Sequence, residues 1–243
     1  MKLYQLLIQH YPVLEPHAET WALWLKPNKR PSELFEVAIG AILVQNTNWR
    51  NVNHAVANLK RAGITSFDQV QQMDPERLKA LIKPAGFLTQ KARSLHALSK
   101  LLLTQQAHGI PPSRHQLLAC RGIGLETADS ILAFCFHRPV AVVGTYTRRL
   151  FARLRGDVTY LTTPYEALQH ELHQDLPQDP EILGRFHALI VCHGQNRCQK
   201  TAPKCVDCVL QANCMYGLHY ETDPTIAHIQ TVISPPKRKP AGN

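Results

Sequence analysis

The segment CQKTAPKCVDCVLQANC, residues 198–214, places four cysteines in the spacing C-x6-C-x2-C-x5-C. Four thiolates this close in sequence can converge on one centre, and four-cysteine ligation is what a [4Fe–4S] cluster requires. A structural zinc site is the alternative, but such sites usually pair their cysteines as two C-x2-C units, and only one such pair occurs here. The spacing therefore favours a cluster bound by Cys198, Cys205, Cys208 and Cys214 over zinc.

The composition is that of a globular chain with a basic surface. The 243 residues are 44% hydrophobic, which is enough for one large core or two modest ones. Twenty-seven Lys and Arg against 18 Asp and Glu give a net charge of +9, which favours a polyanionic partner such as nucleic acid. The chain has seven cysteines and starts without an apolar signal segment, so a disulfide framework is not expected. No apolar run reaches the roughly 18 residues that cross a bilayer. We expect a cytoplasmic protein, nucleoid-associated if bacterial, with no membrane partner.

The hydrophobic periodicity predicts an all-α fold. Apolar residues recur at the i, i+3, i+4 spacing of a buried helix face in three well-separated stretches. These stripes are Leu3, Leu6 and Leu7; Val37, Ala41 and Val44; and Leu95, Leu98, Leu101 and Leu102. The best strand candidate, residues 140–143, is only four residues long and is interpreted as an extended connector.

The segment LACRGIGLETA, residues 118–128, has the pattern of a helix-hairpin-helix unit. Its two glycines, Gly122 and Gly124, bracket Ile123 between a helix ending near residue 120 and one starting near residue 125. Such a turn lets the backbone approach another molecule closely, and amides at the start of a helix bind phosphate without reading sequence. A plain interhelical turn is the alternative for this motif taken alone.

Together these features resemble the helix-hairpin-helix DNA glycosylases of the endonuclease III type. The resemblance runs from about residue 33 to residue 214. It rests on four motifs in the family's order: FE at 35–36 leading to QNT at 45–47, GFLTQKA at 86–92, the hairpin at 122–128, and the cysteine motif preceded by HG at 193–194. The resemblance implies an all-α fold of two helical domains, one with the hairpin and one with an iron–sulfur cluster loop. It also implies a DNA cleft between the two domains. A six-helix barrel would span residues 27–139, with the hairpin at about 113–136; a discontinuous iron–sulfur domain would span 1–26 plus 140–220, and 221–243 would form a flexible basic tail.

The resemblance also implies a partner and its contacts. Glycosylases act on a flipped nucleotide, so something must fill the vacated stack; Gln45 matches that position, and Phe87 or Leu88 matches an apolar wedge. Lys91 and Arg93 fit either phosphate contacts or a solvated helix face. We expect a monomer that binds double-stranded DNA carrying a damaged or mismatched base. The predicted DNA contacts are Gln45, Asn46, Phe87, Leu88, Gly122, Ile123, Gly124, Thr127, Tyr146, Lys200 and Lys204.

The sequence departs from this family at the positions that carry its chemistry. Glu126 occupies the place of the lysine that forms a Schiff base in lyase-type members, and a carboxylate cannot form that imine. Gly144 occupies the place of the aspartate that stabilises the oxocarbenium-like transition state. Glu126 is therefore the candidate catalytic carboxylate, although the helix dipole favours an acidic residue in a first turn in any case. Asp129 is expected first to support the hairpin by hydrogen bonding, and it is the next catalytic candidate. Tyr146 can stack on or hydrogen-bond to an everted base, or it can be an ordinary core residue.

Two functions survive these departures. The chain is either a monofunctional glycosylase with a relocated carboxylate, or a catalytically inactive relative that binds damaged or distorted DNA. An electron-transfer iron–sulfur protein that ignores DNA is disfavoured by the basic charge and the hairpin.

Overall fold

A computed structural model describes residues 1–235, and this part of the chain is helical and contains no β-strand. The all-α prediction is confirmed. In chain order the α-helices are α1 (Lys2–His10), α2 (Ala18–Leu25), α3 (Pro31–Leu43), α4 (Trp49–Arg61), α5 (Phe67–Gln72), α6 (Pro75–Leu81), α7 (Leu88–Ala107), α8 (Arg114–Ala119), α9 (Leu125–Phe136), α10 (Thr145–Arg155), α11 (Tyr165–Asp175), α12 (Pro180–Asn196), α13 (Met215–His219) and α14 (Pro224–Ile233). Among the described helices, none combines the length and the apolar character that crossing a membrane would need.

The chain forms two compact units, one of which is discontinuous. The hairpin unit is Glu19–Val142, and the cysteine unit combines Met1–Ala18 with the chain from Val143 onward. The sequence predicts that residues 1–26 belong to the cysteine unit, but the structure ends this N-terminal part of the unit at Ala18. Each unit has its own set of buried apolar side chains.

An aromatic cluster explains why α2 belongs to the hairpin unit. The Trp24 ring centroid lies 4.9 Å from that of Trp49 and 5.2 Å from that of Phe134, while Trp21 packs against all three rings. Gly40 on α3 makes room for Trp24, because a Cβ atom there would come within 3.0 Å of the indole. The burial of these four aromatic rings places α2 in the hairpin unit, although α1 precedes it in the sequence.

Three helices of the hairpin unit, including the first helix of the hairpin, begin at side-chain caps. At the start of α8 the Ser113 Oγ atom accepts from the Gln116 amide, and the Gln116 side chain accepts from the Ser113 amide. This reciprocal capping box satisfies two amide donors that the first turn leaves unpaired. Asn48 and Asp74 cap α4 and α6 in the simpler way, by accepting from the amide three residues later.

The cysteine unit is built around α10, which packs against α12, α13 and α14. Helix α1 joins the unit by packing on α12, with the Tyr4 and Phe186 ring centroids 6.2 Å apart. The cysteine motif follows α12 directly and continues into α13. Helix α10 therefore supplies the wall against which the cysteine loop folds.

The predicted tail at 221–243 begins with an ordered helix, so that expectation is wrong for its first half. Asp223 caps α14 by accepting from the Thr225 amide at 2.8 Å. Ile226, Ile229 and Ile233 lie on one face of α14 and are buried. This i, i+3, i+7 stripe supplies the apolar burial that a solvated tail lacks. The basic end of the predicted tail lies in residues 236–243, outside the described part of the chain.

Candidate functional site

Two glycines shape the turn between α8 and α9, each for a different reason. Gly122 has a φ of 83°, and a Cβ atom there would lie 2.1 Å from the Ser94 Oγ atom. A Cβ atom at Gly124 would meet no atom within 4 Å, so this backbone is open to close approach. No side chain caps α9, and the start of such a helix is the kind of site that binds a phosphate. The Ile123 side chain is buried, so its predicted DNA contact is restricted to its backbone.

Asp129 is fully buried and serves the hairpin structurally. Its carboxylate accepts from the Arg114 Nε atom at 2.7 Å and from a terminal guanidinium nitrogen at 3.1 Å. This bidentate pair ties α8 to α9, and the Asp129 side chain has no exposure to water. This burial argues against the catalytic alternative and leaves Asp129 in the hairpin-supporting role that the sequence indicates first. Glu126, by contrast, is exposed in the first turn of α9.

Gln45 is held directly against the hairpin. Its Nε2 atom donates to the Gly122 carbonyl oxygen at 3.1 Å and to the Thr127 Oγ1 atom at 3.0 Å. Thr127 is itself buried, so its hydroxyl supports Gln45 within the unit. Asn46 is exposed and has a φ of 53°, in the left-handed region that non-glycine residues rarely adopt. The loop after α3 is thus fixed to the hairpin and presents Asn46 to solvent.

Phe87 projects from the turn before α7. Its relative exposure is 62%, and its φ of 48° is again left-handed, whereas Leu88 is half-buried at the start of the helix. A large exposed aromatic residue on a strained backbone is not core packing, and such strain often marks a functional position. Of the two wedge candidates, Phe87 is the one that the structure presents to solvent.

Lys91 is buried beneath these two loops, so neither a phosphate contact nor a solvated face describes it. Its exposure is 2%, and its ammonium group donates to the carbonyl oxygens of Leu43 at 2.8 Å and Ala85 at 2.7 Å. Leu43 ends α3 just before Gln45, and Ala85 lies two residues before Phe87. The ammonium also lies 5.9 Å from the Phe87 ring centroid. Lys91 therefore links the loop that carries Gln45 to the loop that carries Phe87, and both of these residues are predicted to contact DNA.

Burial lowers the pKa of Lys91 from 10.5 to about 8, which predicts a pH-dependent stability. Between these values the unfolded chain retains a proton that the folded chain loses. The free energy of unfolding contributed by Lys91 therefore rises with pH across this window. We expect chemical denaturation to show the stability of the wild type, relative to Lys91→Met, increasing from about pH 8 to pH 10. The control is Lys100→Met, an exposed lysine on the same helix, whose difference from wild type should stay constant. A constant difference for Lys91→Met would contradict this account.

All four cysteines of the motif line one small cavity in the cysteine unit, together with Arg153 and His193. Within residues 1–235, no three His, Cys, Asp or Glu side chains are placed so that they could hold a single metal ion. Four thiolates on one zinc ion would bring their sulfurs within about 4 Å of each other. In a [4Fe–4S] cluster each thiolate binds a different iron. The four thiols here line one cavity.

Arg153 is the most buried charge beside this cavity. It is 1% exposed, its guanidinium donates to the Cys198 Sγ atom at 3.1 Å, and the group lies 5.4 Å from the Tyr216 ring centroid. Its Nε atom is buried without a hydrogen-bond partner. Among the described residues no carboxylate pairs with Arg153. Burial of a cation costs free energy unless a nearby anion compensates its charge.

Two further cysteines receive polar contacts from their surroundings. The Gly217 amide donates to the Cys214 Sγ atom at 3.4 Å, and the His193 Nε2 atom lies 3.8 Å from the Cys208 Sγ atom. The Tyr11 hydroxyl lies 3.0 Å from the His193 Nδ1 atom. Burial lowers the pKa of His193 to about 4, so the ring is neutral at physiological pH. Burial also raises the pKa of Cys214 to about 11, so that thiol stays protonated unless a metal centre binds it.

The HG motif before the cysteines has a steric role as well. A Cβ atom on Gly194 would lie 2.4 Å from the Tyr146 ring, so the bare backbone allows this ring to pack closely. The Arg149 guanidinium lies 4.8 Å from the ring centroid of Tyr146 and donates to the Gly194 and Cys198 carbonyl oxygens. Tyr146 is half-buried, and Arg149 already covers one face of its ring.

Gly144 is the residue that caps α10. Its φ of −111° and ψ of −176° are extended values that any residue adopts, so the glycine is not required by the backbone. Its amide donates to the Thr147 Oγ1 atom at 3.3 Å. Lys200 and Lys204, in the loop between Cys198 and Cys205, are both exposed as a phosphate contact requires.

Sequence reasoning missed the buried cations Lys91, Arg149 and Arg153. One signal was present for the arginines, because residues 146, 149, 150 and 153 share the i, i+3, i+4, i+7 spacing of a buried helix face. Nothing in the local sequence distinguishes Lys91 from an exposed lysine.

Comparisons with known proteins agree with this geometry. A family model described as "HhH-GPD superfamily base excision DNA repair protein" matches residues 39–177. The chain is 34% identical over 224 residues to a protein of Methanocaldococcus jannaschii named as a candidate DNA repair glycosylase, covering 88% of this chain and 94% of that one. It is 30% identical over 189 residues to endonuclease III of Thermotoga maritima, covering 78% and 86%.

Solved structures show the same likeness. The H. pylori 3-methyladenine DNA glycosylase, solved with 1,N6-ethenoadenine, has a TM-score of 0.65 and 27% identity, covering 80% of this chain and 96% of that one. An endonuclease III in a non-covalent DNA complex has a TM-score of 0.72 over 89% of this chain and 94% of that one; at 21% identity it supports the fold alone.

Proposed function

The chain belongs to the HhH-GPD superfamily of base excision DNA repair proteins, and from this premise we propose that it is a monofunctional DNA glycosylase. It would flip a damaged or mismatched base out of double-stranded DNA and hydrolyse its N-glycosyl bond. The observation that carries this assignment is Glu126, a carboxylate exposed in the first turn of α9, which the motif resemblance matches to the lysine of lyase-type members. Glutamate cannot form a Schiff base, so the abasic strand would be left intact.

Several features of the hairpin unit support the DNA-binding part of the proposal. The uncapped start of α9 would bind a phosphate, with the open backbone at Gly124 allowing close approach. Phe87 would enter the base stack, while Gln45 and Asn46 would fill the space left by the flipped nucleotide. Lys200 and Lys204 would add phosphate contacts that weaken as salt increases. We expect a monomer acting in the cytoplasm, nucleoid-associated if the cell is bacterial.

The chemistry would rest on charge placed against the developing oxocarbenium ion. Base departure leaves positive charge on the sugar, and a nearby carboxylate stabilises it while water adds to the anomeric carbon and the base leaves with a proton. Gly144 cannot supply that charge. Glu126 would do so in its place.

The cysteine unit fits a [4Fe–4S] cluster as the cofactor. The four thiols line one cavity, three of them have polar contacts, and the unpaired Arg153 supplies a cation beside a site that an anionic cluster would occupy. When bound, the cluster would cross-link the ends of the loop that carries Lys200 and Lys204. Its role in the proposal is structural.

The test is base release from duplex oligonucleotides carrying single lesions, with alkali used afterwards to cleave abasic sites. We expect Glu126→Gln to lower the release rate about ten- to hundredfold, since an exposed carboxylate is partly screened by water. The matched control is Glu76→Gln, which changes an exposed glutamate at the same second position of another helix in this unit and should leave the rate unchanged.

Other outcomes of the same assay are also decisive. Strand cleavage by the wild type without alkali would show lyase chemistry and refute the monofunctional assignment. Lesion binding without base release would indicate the inactive DNA-binding relative that the loss of the aspartate at position 144 suggests.

A further inference from the structure

Helix α14 lies beyond the last cysteine of the motif and outside residues 39–177, which the family model matches. Its three buried isoleucines pack with Ala152 of α10 and Tyr216 of α13. Cys205 and Cys214 pack against this same apolar cluster. The helix therefore covers part of the cysteine site, although it contributes no ligand to it.

Gln230, on the same helix, makes three polar contacts with the cysteine site. Its Oε1 atom accepts from the Arg153 guanidinium at 2.6 Å, and its Nε2 atom donates to the carbonyl oxygens of Lys200 at 2.7 Å and Thr201 at 3.2 Å. The donor and acceptor ends of the amide cannot be exchanged, because guanidinium only donates and carbonyls only accept. The Gln230 side chain thus satisfies hydrogen-bonding groups of both α10 and the loop between Cys198 and Cys205.

Both partners of Gln230 are part of the proposed cluster environment. Arg153 is the buried cation that donates to the Cys198 Sγ atom, and it also donates to the Lys200 carbonyl oxygen at 3.2 Å. Lys200 and Thr201 lie in the six-residue stretch between Cys198 and Cys205, which is the longest interval between ligands in the motif. A long exposed interval is where a loop opens most readily.

We propose that α14 is a clasp that holds the cysteine loop closed over the cluster, with Gln230 as its positioning residue. The isoleucine face excludes water and oxidants from the side of Cys205 and Cys214. Gln230 fixes the 199–204 interval and orients Arg153 toward Cys198. This inference rests on the proposed [4Fe–4S] cofactor, and it assigns a function to a segment beyond the motifs of the family.

The experiment compares how fast the intact, cluster-loaded protein loses its visible cluster absorption in air and in the presence of an iron chelator. We expect Gln230→Ala to bleach about tenfold faster than the wild type, because opening of the loop no longer breaks the two hydrogen bonds to Lys200 and Thr201, and Arg153 loses its charge-assisted bond to the Gln230 oxygen. Thr231→Ala, at the neighbouring exposed position on the same helix, should bleach at the wild-type rate. If α14 only stabilised the fold, Gln230→Ala would lower the melting temperature but bleach at the rate of Thr231→Ala, and this result would overturn the proposal.

Gln230→Glu keeps the side-chain size and covers the case in which Gln230→Ala does not fold. The glutamate still accepts from Arg153 but cannot donate to Lys200 and Thr201, so its bleaching rate should fall between those of wild type and Gln230→Ala. If the wild type is coloured and the Gln230 variants bleach at the same rate as the wild type, the clasp is refuted while the cluster and the proposed function remain. A colourless, iron-free wild type would refute the cluster and the clasp with it.

Discussion

Gly144→Asp is expected to raise the rate of base release by about two to three orders of magnitude. The φ and ψ values of Gly144 are ones that aspartate adopts, and aspartate is among the best residues at the start of a helix. The positive end of α10 keeps such a carboxylate ionised. A preorganised charge at a developing cation is worth about 10²–10³ in rate. The measurement is single-turnover base release under saturating enzyme.

Gly144→Asn is the matched control for this gain. Asparagine caps a helix as well as aspartate and has nearly the same shape, but it has no charge. If the asparagine variant gains as much as the aspartate variant, stabilisation of α10 and not electrostatics would explain the effect. If neither variant gains, the position has lost its catalytic geometry together with its carboxylate.

Arg153→Met is expected to abolish retention of the cluster. Methionine fills a similar volume but removes the buried cation and its donors to the Cys198 sulfur, the Lys200 carbonyl and the Gln230 amide. Removing one partner of a buried charge pair typically costs about 3–5 kcal/mol. Because metal binding and folding are coupled, this loss should appear as both a colourless protein and a lower stability.

The cost of Arg153→Met should depend on whether the cluster is present. Without a cluster, the charge of Arg153 has no anionic partner, so its replacement should destabilise the chelator-treated protein less than the loaded one. Arg155→Met, two residues along the same helix at a half-exposed position paired with Glu171, should leave iron content unchanged. Equal destabilisation with and without iron would contradict a counter-charge role and leave Arg153 as a hydrogen-bonding scaffold.

Much of the architecture was predictable from local patterns. The helical periodicity, the two-glycine hairpin and the order of the motifs led to the fold class and to a family that the comparisons then showed. The cysteine spacing predicted that the four thiols would share one site, and they line one cavity. Whether that site holds iron and sulfide, and whether Glu126 acts in catalysis, stay predictions.

The errors share one cause, which is that burial depends on partners distant in the chain. The sequence indicates a supporting hydrogen bond for Asp129 but does not show its partner, which is Arg114 across the hairpin. The sequence indicates a surface lysine at Lys91, but its ammonium is buried and donates a hydrogen bond to the carbonyl of Leu43, 48 residues earlier. The sequence predicts a domain boundary after α2, but the structure places it at the start of α2 because the Trp24 contact with Phe134 joins two distant segments.

By itself, the sequence determined the helical class, the hairpin and the grouping of the four cysteines, because short-range spacing controls periodicity, turn geometry and ligand reach. Only the tertiary structure decided which charges are buried and what compensates them. Arg153 meets the side chain of Gln230 from 77 residues away, and α14 becomes part of the cysteine site through that contact. Side-chain desolvation is set by packing between distant segments, so no local pattern contains it.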